Sequence, residues 1–365
     1  MQMSRNQERV LLKRINELVE YLCAQREGIS LMEVCGTHTM AISSSGIRRA
    51  VDPRLKLVSG PGCPVCVTGD EEIDRALGLA YLDNVTVLTF GDMMRVPGSL
   101  GSLADARAKG ADVRVVYSPL DGLAFAGAEP KREFVFLGVG FETTAPTVAA
   151  TVLKAQKMGI KNFSVLPMFK LIPPALAFIA GNKRINIDGF ILPGHVSTII
   201  GAEPYRFLVN RYRLPCCITG FEPGDILAGI YILLNQIGNK PRVAIQYRRS
   251  VQQKGNSAAR RLMSRVFKRV DAVWRGIGRI RSSGLGFKNR FEAFDAGKRF
   301  GFQVSVGNRP GVRARSGCRC GEVILGLIIP PECKLFGRVC TPEKPVGPCM
   351  VSSEGACAAY YKYER

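Results

Sequence analysis

Leu55-Lys56-Leu57-Val58, then Gly60-Pro61-Gly62-Cys63-Pro64-Val65-Cys66-Val67-Thr68, then Asp70-Glu71-Glu72 stand almost end to end. They read as an apolar strand, a Gly/Pro-rich turn and an acidic helix start. A strand that ends in a polar loop and passes into a helix is the repeating unit of parallel α/β proteins. The unit recurs. Residues 31–34 end in Cys35-Gly36-Thr37-His38-Thr39, and 85–90 in Gly91-Asp92-Met93-Met94-Arg95. Residues 134–139 end in Gly140-Phe141-Glu142-Thr143-Thr144, and 190–192 in Pro193-Gly194-His195. Further strands are expected at 113–117, 163–167, 216–219 and 243–247. This predicts two parallel-sheet α/β domains, 30–120 and 132–247, parted where Pro119, Gly122, Gly127 and Pro130 cluster. Ligands bind outside the carboxyl ends of such strands. Two sheets facing each other would therefore gather Cys35, His38, Cys63, Cys66, Asp92, Glu142, Thr143, Thr144 and His195 around one cleft.

The flanks read differently. Val10, Leu11, Ile15, Leu18, Val19 and Leu22 recur at helical spacing, predicting one amphipathic helix over 1–28 that stops at Gly28. Cys23 within it reads as a small buried hydrophobe. Residues 248–315 predict basic helices over about 256–277 and then glycine-rich turns. The tail, 317–365, holds six of the twelve cysteines with little periodicity. Residues 1–29 and 248–365 are expected to form a third, cluster-bearing module.

Composition narrows the class. The chain has 365 residues, 46% of them hydrophobic, enough for large buried cores. No apolar run reaches the length of a membrane span, and the charged N-terminus has no signal-peptide block, so a cytoplasmic protein is expected. In that reducing compartment twelve cysteines serve better as metal ligands or catalytic thiols than as structural disulfides. Two histidines, His38 and His195, exclude a His-rich metal site. Of the net charge of +21, most sits in 242–315, where 19 Lys/Arg face three acids. Such a block suits an acidic partner or a solvated face. No stacking aromatics or DNA-binding motif accompany it, so nucleic-acid binding is not the expectation.

Two cysteines separated by two residues can close a redox disulfide or present two thiolates to one metal. Cys63 and Cys66 have that spacing. The tail cysteines are Cys318, Cys320, Cys333, Cys340, Cys349 and Cys357. Four thiolates can hold zinc or an iron–sulfur cluster, and spacing alone does not choose. The long gaps, unlike the short pairs of zinc ribbons, tilt the expectation to iron–sulfur.

Several stretches carry a family resemblance. Met32-Glu33-Val34-Cys35-Gly36-Thr37-His38-Thr39, the Gly60 to Thr68 stretch, Thr89-Phe90-Gly91-Asp92-Met93-Met94-Arg95-Val96-Pro97-Gly98 and Gly140-Phe141-Glu142-Thr143-Thr144-Ala145-Pro146 resemble the HypD family of NiFe-hydrogenase maturation factors. So do Pro193-Gly194-His195-Val196-Ser197, Trp274-Arg275-Gly276 and Gly355-Ala356-Cys357-Ala358-Ala359-Tyr360-Tyr361. The resemblance implies a C-x14-C-x6-C-x16-C motif, which Cys318, Cys333, Cys340 and Cys357 fit, carrying a 4Fe-4S cluster. It also implies work with a HypC-like chaperone and a HypE-like cyanide donor. These build an iron bearing two cyanides and one carbon monoxide for the hydrogenase large subunit. Where family members commonly have two further histidines, Met40 and Phe169 stand here.

On this reading Cys35 holds the iron as a thiolate, its pKa lowered at a helix N-terminus. His38 orients it or moves a proton, Cys63 and Cys66 pass electrons, and Glu142 and His195 position or exchange protons. Plainer accounts exist: a buried core cysteine at 35, a helix cap at Glu142 and Thr143, a structural His195, a turn residue at Asp92. The competing function is a free-standing thiol–disulfide oxidoreductase fed by an iron–sulfur cluster.

Overall fold

The computed structural model describes residues 3–301 and 317–365. Its strands, in chain order, are β1 (Ile29–Glu33), β2 (Leu55–Ser59), β3 (Val85–Thr89), β4 (Val113–Val115), β5 (Glu133–Gly140), β6 (Phe163–Phe169), β7 (Gly189–Leu192), β8 (Cys216–Ile218), β9 (Val243–Ile245), β10 (Phe267–Trp274) and β11 (Gly278–Phe287). The first nine, all expected from sequence, form two parallel sheets. Strands such as β3 are buried at every residue, which is why they read as unbroken apolar runs.

The sheets do not follow the expected sequence halves. One has the order β2-β1-β7-β8-β9 and the other β4-β3-β5-β6. The chain leaves the first sheet after β2, builds the whole second sheet, and returns at β7. The segment 120–132, expected as a boundary, carries the crossover helix Asp121–Ala128 between two strands of one sheet. Gly122 there is a packing glycine: a Cβ would meet the Phe163 ring at 2.7 Å and Leu88 at 2.8 Å. Composition marks turns, but it does not say to which sheet a strand returns.

The N-terminal helix spans Arg5–Leu22, started by a Ser4/Gln7 capping box and ended well before Gly28. Its Ile15 and Val19 join Ile226 and Ile230 over the first sheet, so it belongs to that sheet rather than to a tail module. Cys23 is buried in the same cluster.

The basic segment corrects another expectation. Within 256–277 only Ser257–Val266 is helical, capped by Asn256, whose side-chain oxygen accepts from Ala259 N–H at 3.0 Å. Residues 267–277 are instead the first strand and the turn of an antiparallel hairpin, β10–β11. Val270, Val273, Trp274 and Ile280 favour strand, and Gly276 and Gly278 turn the chain at φ 73° and 105°.

The hairpin and tail fasten the cleft. Trp274 is fully buried, and its indole N–H donates to Ser283 Oγ at 2.8 Å. Arg275 N–H donates to Val67 O at 2.9 Å, and Leu171 N–H to Ser283 O at 2.8 Å. The tail is equally engaged. Its Ala356–Tyr363 helix packs on the Gly36–Ser44 helix, and Pro348–Val351 packs on Pro64–Val67. Arg48 pairs with Glu364 at 3.0 Å and lies 4.7 Å over the Tyr360 ring. One apolar cluster therefore joins both sheets, hairpin and tail through Met32, Val87, Leu137, Phe190, Trp274 and Met350. No described helix is long and apolar enough to cross a membrane.

Candidate functional site

Cys35 follows β1 and caps the Gly36–Ser44 helix, while Cys63 follows β2 and caps Pro64–Val67. The strands are parallel neighbours, so both cysteines leave the same sheet edge side by side. Gly36 N–H donates to Gly62 O at 3.0 Å. A Cβ on Gly62 would lie 2.2 Å from Cys35 N and 2.4 Å from Cys35 Cα, so only glycine permits this approach. Cys63 and Cys66 are joined as a disulfide.

The environment of Cys35 departs from expectation. Burial, and then the charge of Glu354, pushes its thiol up to about 12, although the backbone N–H groups of His38 and Thr37 point to it. Desolvation outweighs the helix terminus. The group is a buried thiol that holds its proton in this environment. Glu33, which the sequence reading passed over, holds the loop: it accepts from Cys35 N–H at 3.2 Å and from the Thr39 hydroxyl at 2.6 Å. Burial raises Glu33 to about 7. Glu354 was also missed. It accepts from the Thr37 hydroxyl at 2.8 Å and arrives from the tail, hundreds of residues away in sequence.

His38 is buried, with Nε2 at 2.9 Å from Gly220 O and 2.8 Å from Thr219 Oγ1. A carbonyl can only accept, so Nε2 carries the proton and Nδ1 is left a lone pair with no hydrogen-bond partner. Burial first lowers its pKa to about 4, keeping the ring neutral. Phe221 lies between the two histidines, 4.7 Å from His38 and 4.0 Å from His195 by ring centroids. His195 is exposed, its pKa also lowered by partial burial. Asp92 accepts from the Ser352 hydroxyl at 2.9 Å, tying the β3 loop to the tail.

Glu142 is held at a helix terminus. Its two oxygens accept from Ile172 N–H at 3.1 and 3.3 Å, capping the Ile172–Ala180 helix from the neighbouring strand. Thr143 is exposed, and Thr144 makes no side-chain cap. Burial raises Glu142 to about 7. A carboxyl that holds its proton more tightly when folded adds stability below its unfolded pKa, and that stability is lost as pH rises through about 7. Glu142→Gln keeps an accepting oxygen for Ile172 and removes the titration. Urea denaturation from pH 5 to 8 should therefore show a decline in wild type, on the order of 3 kcal/mol from this group, and a flatter profile in the variant. Phe169 packs at 5.2 Å on Phe267 inside the second sheet's core.

All six tail cysteines line one small cavity with Leu335, Phe336, Gly347 and Met350. Cys333, Cys340, Cys349 and Cys357 are buried, and Cys318 and Cys320 are half-buried. No three described His, Cys, Asp or Glu side chains converge on one ion. Thiolates spread around a cavity suit a multi-iron cube, whose ligands sit on different irons. Burial keeps the Cys357 thiol well above its ordinary range. The Cys320 thiol interacts with those of Cys318 and Cys349. The cavity borders the disulfide: Cys66 Sγ lies 3.9 Å from Pro348 O, the residue before Cys349.

Known proteins match the chain over nearly its full length. Residues 8–364 match the family model described as HypD, hydrogenase formation hypA family. A hydrogenase maturation factor HypD of Rhodobacter capsulatus is 43% identical over 357 residues, covering 97% of this chain and 94% of the relative. One of Rhizobium leguminosarum bv. viciae is 42% identical, covering 97% and 93%. A putative hydrogenase expression/formation protein of Methanocaldococcus jannaschii is 39% identical, covering 98% of each chain. With the paired strand-end cysteines and the cysteine-lined tail cavity on one contiguous core, the match leaves no segment of the site outside it: the chain belongs to the HypD family.

Proposed function

We propose that the chain acts in hydrogenase maturation as an assembly scaffold with redox ability. Its cargo is iron carrying two cyanides and one carbon monoxide. A HypC-like chaperone and a HypE-like cyanide donor work on it, and the hydrogenase large subunit finally receives it. Cys35 holds the cargo as a soft thiolate, which suits iron with strong-field ligands. Glu33 fixes the loop around it, and the neutral His38 offers its free Nδ1 as a proton acceptor nearby. Opening the Cys63–Cys66 disulfide consumes two electrons and two protons and leaves two thiols; closing it returns them.

The tail donors fit a 4Fe-4S cluster. Cys318, Cys333, Cys340 and Cys357 would hold it, and when bound it supplies electrons singly. Cys320 and Cys349 remain as a dithiol beside the cavity, one residue beyond the Cys66 contact with Pro348. The observation that carries this reading is the adjacency of the three stations: Cys35 against the Gly62 turn, and Cys66 against the residue preceding Cys349. A free-standing oxidoreductase fits less well, because Cys63 and Cys66 are 5% and 1% exposed and a substrate disulfide could not reach them.

Protein purified without air should be brown and carry about four irons per chain. Cys357→Ser should lose most of them while far-UV circular dichroism is kept. A deletion strain should accumulate unprocessed large subunit, and normal hydrogenase activity in that strain would sink the reading.

A further inference from the structure

The basic segment is not absorbed by this function. Its acids are already engaged. Asp271 pairs with Arg279 at 3.6 Å, Glu292 with Lys298, and Asp295 accepts from Gly297 N–H at 2.9 Å. Two cations also have structural work: Lys288 and Arg290 donate to Ser264 O and Arg265 O, the last carbonyls of the Ser257–Val266 helix. Of the remaining cations, Arg261, Arg265, Arg269 and Arg281 are exposed and, among the described residues, make no ion pair with a carboxylate, Arg269 sensing the buried Glu142 only at longer range. They lie along one continuous helix–hairpin unit. A cluster of like charges repels itself, and a bound polyanion would relieve that repulsion.

We propose that these four arginines form a docking surface for an acidic polypeptide, a function beyond the cargo site itself. Two observations favour protein over nucleic acid. The unit's large aromatics, Phe267, Trp274, Phe287 and Phe291, are 0–3% exposed, so no base-stacking platform faces outward. The hairpin turn is also held on one side by the tail: a Cβ on Gly276 would meet Gly321 Cα at 2.4 Å, so the turn is not free to insert into a groove. Arginine forks match carboxylates bidentately. The location gives docking a consequence. The same hairpin bonds Val67, next to the disulfide, and Leu171, next to the helix that Glu142 caps. A partner seated here touches the element that braces the cleft.

The test uses the full chain and a fluorescein-labelled Glu-rich peptide, with a DNA duplex of equal net charge as comparison, at about 0.15 M salt. R261E/R265E/R269E/R281E should weaken peptide binding at least about tenfold. R5E/R9E/K13E/R14E, the same charge change on exposed N-terminal positions, should leave it within about twofold. If the reversal variant does not fold by circular dichroism, the four-Gln variant replaces it, with a loss of about threefold or more expected. Equal losses in the two charge-matched variants, no peptide binding by wild type, or tighter binding of the duplex than of the peptide would each overturn the proposal.

Discussion

Gly62→Ala should lower the urea stability of the chain by about 3 kcal/mol or more and disturb the two cysteine loops together. The added methyl would stand 2.2–2.4 Å from Cys35 N, Cys35 Cα and Val34 C. All three are backbone atoms, so no side chain can swing aside. The β1 and β2 loops must separate, stretching the 3.0 Å bond from Gly36 N–H to Gly62 O. Gly127→Ala is the matched control. It lies in the Asp121–Ala128 helix with nothing within 4 Å of the new Cβ, and should be neutral or stabilising by up to about 1 kcal/mol. Equal midpoints for the two variants would show that the approach of Cys35 to the Gly62 turn is not tight.

Trp274→Ala should cost about 3–5 kcal/mol, the range for deleting a buried aromatic. The ring is fully buried, stacks on Phe141 at 6.1 Å and anchors the hairpin against Thr68. Trp274→Phe should be milder, about 1 kcal/mol from the lost indole N–H, because Ser283 Oγ still donates to Ile280 O at 2.8 Å. Trp274 is the chain's single tryptophan, so wild-type fluorescence during unfolding follows the hairpin directly. A fluorescence transition well below the circular dichroism transition would mean the hairpin opens independently of the cleft, contrary to its bonds to Val67 and Leu171. Coincident transitions are expected.

The parallel strands were legible because each is an apolar run closed by Gly, Pro or Asp, as at Gly60 and Gly91. Their assignment to sheets was not, because β7 pairs with β1 across more than a hundred residues that build the other sheet. Phe267 to Gly278 carried a strand and turn signal in Val270, Val273 and the Gly276/Gly278 pair. The density of basic residues obscured it, since Arg and Lys are good helix formers. The cysteines were readable from spacing and resemblance. Glu33 and Glu354 were not. The first looks like an ordinary strand residue, and the second reaches Thr37 only through the fold. The thiol of Cys35 could not be judged from its helix terminus, because burial is a property of the assembled core.

The central claim is that Cys35 holds the iron cargo. The direct measurement is infrared spectroscopy of the chain purified without air together with its HypC-like chaperone. Wild type should show cyanide and carbonyl stretches, and Cys35→Ala should lose them while the complex still forms and the tail iron remains. Stretches of undiminished intensity in the Cys35→Ala complex would contradict the account and move the iron to another ligand.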